Sequence, residues 1–389
     1  MKAFQRQLYG LSIFHAVNDG SLAVFLAVLP VMRVALGLSF VEIGTILSAG
    51  ILATVVMQLV FGHIADMGQS RHVLTGGFIS VALVDLMFVK GGSYAQVLLL
   101  YVLFRAAAGV YHPVSFATIF RTASNRSTAL GFQSAFGDGS IAFGMLSMGF
   151  VAESFGWQTP FLIWGIVALV GFAAFVLLMR TRKSESERRA PEVEPDRSDY
   201  SDHESGITRG MIILQLSTAL VTCLFTIFSS YIPLFLNVNL QLSPGVSSLV
   251  VALWLGVGVV SSFNAGGWVS AFGTERKTAR ACFGLTTILL AAGTVVAFGE
   301  GLWTVALAFL VMSGVTFFPV FPVMYGVVGG AAPKNRLGLA YATNLSLSLI
   351  AGSVASYGIG YLASIYTLTI VLPILLILSV VASLVAFLL

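Results

Sequence analysis

Apolar residues run along this chain in long blocks separated by short polar stretches. A helix that crosses a bilayer needs about 20 predominantly apolar residues, and by that measure the blocks predict twelve spans. The first six fall at about 8–36, 40–65, 73–90, 94–120, 127–152 and 158–180. The second six fall at about 211–238, 246–272, 278–298, 302–330, 336–364 and 367–389. Between the sets, RTRKSESERRAPEVEPDRSDYSDHESGITR (180–209) mixes both charge signs with Ser and Pro. It offers almost nothing apolar to bury, which predicts a disordered linker outside the membrane. The expected organisation is an N-terminal six-helix bundle over 1–180, a cytoplasmic linker over 181–209 and a C-terminal six-helix bundle over 210–389.

Basic residues set the orientation. Loops on the N-terminal side of the membrane carry Lys2, Arg6, Arg71, Arg121, Arg126, seven basic residues of the linker, Arg276, Lys277, Arg280, Lys334 and Arg336. The opposite side has only Arg33 and Lys90. An asymmetry of this size predicts that both termini are cytoplasmic and that the chain is a multi-pass protein of the cytoplasmic membrane.

The two sets of spans are copies. GHIADMGQSRH (62–72) and GWVSAFGTERK (267–277) align without gaps after the second span of each set. Pro30 with Pro233, Gly109 with Gly314 and Pro113 with Pro319 keep nearly the same offset, and Asn-Arg opens the fifth span of each copy at 125–126 and 335–336. Six spans per copy is an even number, so both copies enter from one side. They are therefore parallel repeats, with a site expected between them near mid-membrane.

Composition agrees with the pattern: 57% of residues are hydrophobic, 9% are charged and the mean hydropathy is +0.95. A soluble domain carries about 25% charged residues. The net charge of +4 does not indicate a nucleic-acid partner, because the basic residues lie in short loops between spans. Cys223 and Cys282 fall inside apolar blocks and offer neither a disulfide framework nor metal-ligand spacing. The first span is too long for the apolar stretch of a signal peptide and reads as a retained helix. No His-Glu-x-x-His, Gly-x-Ser-x-Gly or Gly-x-x-x-x-Gly-Lys motif is present, so neither an enzyme nor an ATP-driven pump is indicated.

One short stretch breaks the pattern. FHAVNDG (14–20) places His15, Asn18 and Asp19 inside the first span. Ionisable residues deep in a span face a cavity or a partner. Here they are Asp19, Asp85, Arg105 and Asp138, with His15 and His112, all in the first half. Helical rise places Asp19 and Asp138 about 15 Å from the N-terminal side, with Arg105 slightly deeper. His15 and Asp19 are four apart and share a helix face. Asp85 lies about a turn from Lys90 and reads as a solvated or paired helix-end residue. At an offset of 205, Asp19 maps to Leu224, Arg105 to Leu310 and His112 to Phe317. The second half instead offers Phe317, Phe321 and Tyr325, with Asn264 and Asn344 as polar handles.

The chain resembles the major facilitator superfamily at GHIADMGQSRHVL (62–74), the loop after the second span, although Gly68 comes one residue early. RAAAG (105–109) is similar to an element of the family's fourth helix and FGW (155–157) to its link from helix five to six. Within the family, FHAVND…LP (14–30) and GVYHP (109–113) resemble the fosmidomycin-resistance exporter branch. Drug:proton antiporters of the family carry Gly-Pro in helix five, where this chain has Gly144 followed by Met145. The resemblance implies an all-α membrane fold of twelve helices in two bundles, with helices one and four lining the central cavity and helix five bordering it. It also implies a charge latch at Gly62, Asp66, Arg71 and Arg126 on the cytoplasmic side. Asp19 with Arg105 then reads either as a structural ion pair between helices one and four or as a proton-coupling site. Asp138, His15, His112 and Asn18 stand beside it, and Phe317, Phe321, Tyr325, Asn264 and Asn344 face it.

The expected function is a secondary transporter, monomeric and without cofactor, that moves a small amphiphilic or anionic compound by proton-coupled efflux. The alternative is a proton symporter or uniporter importing an organic anion, with Arg105 as its anchor.

Overall fold

A computed structural model describes residues 3–66, 70–122, 126–179, 209–299, 301–331 and 337–388, so the expected linker, apart from Arg209 at the start of a helix, lies outside the described residues. All regular structure among them is helical. The first half contains α1 (Ala3–Leu36), α2 (Phe40–Asp66), α3 (Ser70–Met87), α4 (Tyr94–Ala108), α5 (Tyr111–Thr122), α6 (Arg126–Phe155) and α7 (Thr159–Met179). The second contains α8 (Arg209–Asn239), α9 (Pro244–Phe263), α10 (Ala265–Phe272), α11 (Glu275–Gly299), α12 (Trp303–Phe317), α13 (Val320–Ala331), α14 (Leu337–Tyr366) and α15 (Val371–Phe387). Twelve of the resulting segments are long and apolar enough to cross a membrane.

Fifteen helices make twelve spans because three spans are broken. The fourth divides between α4 and α5, and Pro113 supplies the reason: it has no N–H for the carbonyl of Gly109, so the ladder fails there. Thr54 Oγ1 donates to the Arg105 carbonyl at 2.9 Å and steadies the end of α4. The tenth span divides at Phe318–Pro319, the equivalent place in the repeat, between α12 and α13. The eighth breaks at Asn264, between α9 and α10. At the opposite membrane side, Ser93 and Ser243 cap α4 and α9 by accepting from the N–H groups of Gln96 and Val246.

Side chains distribute as lipid demands. Large apolar residues such as Ile166, Val170 and Leu177 on α7 are exposed, whereas many Ser, Thr, Gln and Asn side chains are buried. In hydrocarbon, polar groups must find partners inside the protein. Asp85 follows this rule rather than the helix-end expectation: it is 1% exposed and accepts from Ser21 Oγ at 2.6 Å, fastening α3 to α1.

The bundles meet along two seams. Where α2 crosses α14, Ser48 Oγ and Ser353 Oγ are 2.7 Å apart, and Ser346 Oγ donates to the Val55 carbonyl at 3.4 Å. Glycine allows this approach: a Cβ on Gly360 would lie 3.0 Å from the Gly44 Cα. Where α6 meets α9, the Gly245 N–H donates to Glu153 at 3.0 Å, and Ser248 Oγ reaches the Ala27 carbonyl of α1 at 3.3 Å. Several of these contacts lie toward the ends of the helices opposite the N-terminus. On the N-terminal side, Phe116 of α5 packs on Tyr325 of α13 and Tyr341 of α14, with ring centroids 5.7 and 5.5 Å apart. If the α2–α14 seam must part during transport, Ser48→Cys with Ser353→Cys in a chain lacking Cys223 and Cys282 will crosslink under mild oxidation. Transport is then expected to stop and to return on reduction, and undiminished flux in the crosslinked protein would contradict a moving seam.

Candidate functional site

Three of the ionisable residues expected together do converge. His15 and Asp19 share one face of α1, and α5 brings His112 over the same carboxylate. His15 Nε2 is 3.0 Å from Asp19 Oδ2, and His112 Nε2 is 3.8 Å from Asp19 Oδ1. His15 is buried, while the side chains of Asp19 and His112 remain 13% and 27% exposed, so water reaches the cluster from one side. Asn18 Nδ2 donates to Asp19 Oδ1 at 2.8 Å, and Asn18 Oδ1 is buried without a partner.

The other nitrogen of His15 defines the chemistry. His15 Nδ1 lies 2.8 Å from the carbonyl oxygen of Gln133, which can only accept, so Nδ1 carries a hydrogen. In a neutral imidazole Nε2 would then be a bare acceptor facing a carboxylate oxygen at 3.0 Å. Two acceptors do not hold that distance without a proton between them. The pair therefore stores one proton, on the ring or on the acid.

Gln133 escaped the sequence reading because the atom that meets His15 is a backbone carbonyl; its one signal was a side-chain amide near the start of the fifth span. It is wholly buried, and its Nε2 donates to Tyr111 Oη at 2.6 Å and Ser115 Oγ at 2.9 Å. Tyr111 in turn stacks on His15, with centroids 4.9 Å apart, and donates to the Leu11 carbonyl. Gly137 supplies the bed: a Cβ there would overlap the His15 ring. Next to it, Asp138 is part-exposed, makes no ion pair among the described residues, and stands within electrostatic reach of His15 and Asp19.

Arg105 is placed differently from expectation. It does not pair with Asp19: it is 9% exposed, its Nε is buried without a partner, and it lies along α2 against Gly50 and Tyr101. The aromatic wall also divides. Phe317 is buried within the second bundle against Trp254, with centroids 5.3 Å apart, and so packs helices rather than facing the seam. Phe321 and Tyr325 are part-exposed, and Tyr325 stands within electrostatic reach of Asp138 and Asp19. Asn344 pairs inside the second bundle with Gln215 Oε1 at 2.8 Å, while Asn264 is exposed at the C-cap of α9. Of the latch residues, Gly62 is buried in α2 and Arg71 is exposed at the start of α3; the side chains of Asp66 and Arg126 lie outside the described residues.

Two helical bundles with a polar cluster at their seam define an integral, multi-pass membrane protein of the transporter type. The chain belongs to the Major Facilitator Superfamily, whose family model matches residues 11–356. It is 23% identical over 214 residues to the quinolone resistance protein NorA of Staphylococcus aureus (strain MRSA252), covering 54% of this chain and 55% of that protein. It is 24% identical over 212 residues to the NorA of strain MSSA476, at 54% of each chain. The chain thus spans about half the length of the curated relatives it matches. Among solved structures, a bacterial homolog of the human lysosomal transporter Spinster, inward-facing and unoccupied, superposes with TM-score 0.77 at 16% identity over 100% of this chain and 97% of that one. A mutant of the nucleoside transporter NupG gives TM-score 0.71 at 14% identity, over 98% and 99%. At these identities the likeness establishes the fold.

The glycine bed gives a paired test. Gly137→Ala displaces the His15 ring and is expected to lower transport at least ~10-fold, whereas Gly139→Ala adds a methyl that meets nothing within 4 Å and leaves it unchanged. Initial flux and Tm of both purified variants check this, and equal flux would contradict the role of the bed.

Proposed function

We propose that the protein exports a small amphiphilic or anionic compound across the cytoplasmic membrane in exchange for protons. Two six-helix bundles, over 1–180 and 210–389 and joined by a cytoplasmic linker, would rock about the seam in a monomer. The observation that carries this reading is the 3.0 Å contact of His15 Nε2 with Asp19 Oδ2, which requires one exchangeable proton. His112 and Asp138 adjust the field around that proton, and part-exposure gives it a route to water. His112 lies one turn from Phe116, and their rings are 5.7 Å apart, so a shift of the imidazole presses on the aromatic closure at Tyr325 and Tyr341. Efflux is supported by the partial likeness to NorA, a quinolone resistance protein, and by the motifs resembling the fosmidomycin-resistance branch. Asp66, Arg71 and Arg126 are the expected latch on the cytoplasmic side.

Arg105 favours a second reading. A buried guanidinium without an acid is destabilising by several kcal/mol unless something neutralises it. An organic anion would do so, and the Gly144–Met145 sequence lacks the Gly-Pro of the antiporters. Import of an organic anion with protons, or by uniport, is the function that uses Arg105 most directly.

Flux of candidate compounds into proteoliposomes under pH gradients of either sign separates antiport, symport and uniport. Asp19→Asn removes the exchangeable proton: gradient-driven accumulation is expected to fall to background while exchange of the same compound persists. Full gradient-driven transport in that variant would refute the coupling. Arg105→Lys keeps the charge and loses the fork, so an oxyanion is expected to bind about tenfold more weakly while a cation is unaffected. Equal effects on both would remove the anion reading.

A further inference from the structure

We propose that His15, Asp19 and His112 form a binding site for one divalent transition-metal ion of the zinc, nickel or cobalt kind, held in place of the shared proton. The inference goes beyond the transport reading and does not depend on it.

The donor set and its spacing carry the proposal. Two imidazoles and a carboxylate suit zinc and its neighbours, whereas calcium and magnesium prefer oxygen alone. One ligand atom from each residue lies within 4.8 Å of the other two. A tetrahedral ion with bonds of about 2.1 Å sets its ligands about 3.4 Å apart. His15 Nε2 is 3.0 Å from Asp19 Oδ2 and His112 Nε2 is 3.8 Å from Oδ1, so the two imidazoles approach opposite oxygens of one carboxylate. Rotation of the carboxylate and the more open His112 ring would bring three ligand atoms, already within 4.8 Å of one another, to that spacing.

The surroundings are those of metal ligands. A ligating histidine needs its second nitrogen held so that the first presents its lone pair. His15 Nδ1 is held by the Gln133 carbonyl at 2.8 Å, the ring is stacked on Tyr111, and the Gln133 amide is fixed by Tyr111 and Ser115. Asp19 is oriented by the Asn18 amide at 2.8 Å. The charges around the site are mixed: Asp138 stands within electrostatic reach of His15 and Asp19, and Arg105 within reach of His112, while no arginine or lysine pairs with Asp19 among the described residues. His112 is the most open of the three, 27% exposed, and leaves the fourth position to water. Two of the three donors thus have separate positioning partners, and His112 is held by ring contacts with His15, Tyr111 and Phe116.

The test uses the full chain, purified through a tag without histidine, stripped of metal and placed in lipid nanodiscs. Cobalt(II) is titrated and read by its visible absorption, which reports tetrahedral coordination, with zinc as the competitor. One equivalent is expected to bind and to be displaced by zinc. His15→Ala, Asp19→Asn and His112→Gln are each expected to weaken binding at least ~10-fold. A variant lacking the other three histidines, His63, His72 and His203, is expected to bind as the parent does. His112→Cys keeps a donor and should restore binding with a new near-ultraviolet sulfur-to-cobalt band, which distinguishes ligation from a folding defect. Binding that disappears with His63, His72 and His203, or that survives all three site substitutions, or the absence of a saturable spectrum, would overturn the proposal. Because the readout is equilibrium binding, its failure is separate from any failure of proton-coupled transport.

Discussion

The imidazole of His15 lies between two oxygens that only accept hydrogen bonds, the Gln133 carbonyl at 2.8 Å and the Asp19 carboxylate at 3.0 Å. A ring so placed must share a proton with the acid, and much of the first bundle serves to keep it there. Gly137 lets α6 approach closely enough for its backbone to lie against the ring, Tyr111 stacks on it, and Gln133 ties Tyr111 and Ser115 into the same network. The opening between α4 and α5 that follows from Pro113 then brings His112 to the far oxygen of Asp19. Each feature alone is an oddity in an apolar span. Together they form a connected polar network, although Asn18 Oδ1 and Gln133 Oε1 are left without partners in it.

Placement at the seam is what joins this chemistry to movement. The α2–α14 contacts include serine hydroxyls, backbone groups and glycines, which hold the surfaces close, whereas the α6–α9 contact adds the Glu153 carboxylate and the Phe150 ring on Gly245. The closure on the N-terminal side is an aromatic contact of Phe116 with Tyr325 and Tyr341 and begins one turn from His112. On the proposed reading, a change of charge at the cluster reaches the closure through a single helical turn.

Much of this was legible in the sequence, for reasons that differ by feature. Apolar block length is a direct consequence of bilayer thickness, so the twelve spans were readable in number and order, with ends that differ by up to nine residues. The i, i+4 spacing of His15 and Asp19 placed them together before any fold was known. Partners across helices were harder. Arg105 was expected against Asp19 because opposite charges at similar depth attract, but depth leaves the helix face open, and the Arg105 stem lies beside Gly50 and Tyr101 with no ion pair to Asp19. Phe317 was expected at the seam and packs inside its bundle, since an aromatic ring carries no mark of which apolar surface it meets. Gln133 was passed over because its decisive atom is a backbone carbonyl, and every residue has one.

The central claim is that one proton bridges His15 and Asp19, and nitrogen-15 NMR of the histidines in lipid tests it most directly. The chain has five histidines, and His15→Gln identifies the signal. The account predicts a ring with hydrogen on Nδ1 and a hydrogen shared at Nε2 with the acid, the latter signature lost in Asp19→Asn. A His15 resonance with a free Nε2 lone pair, indifferent to that substitution, would contradict it.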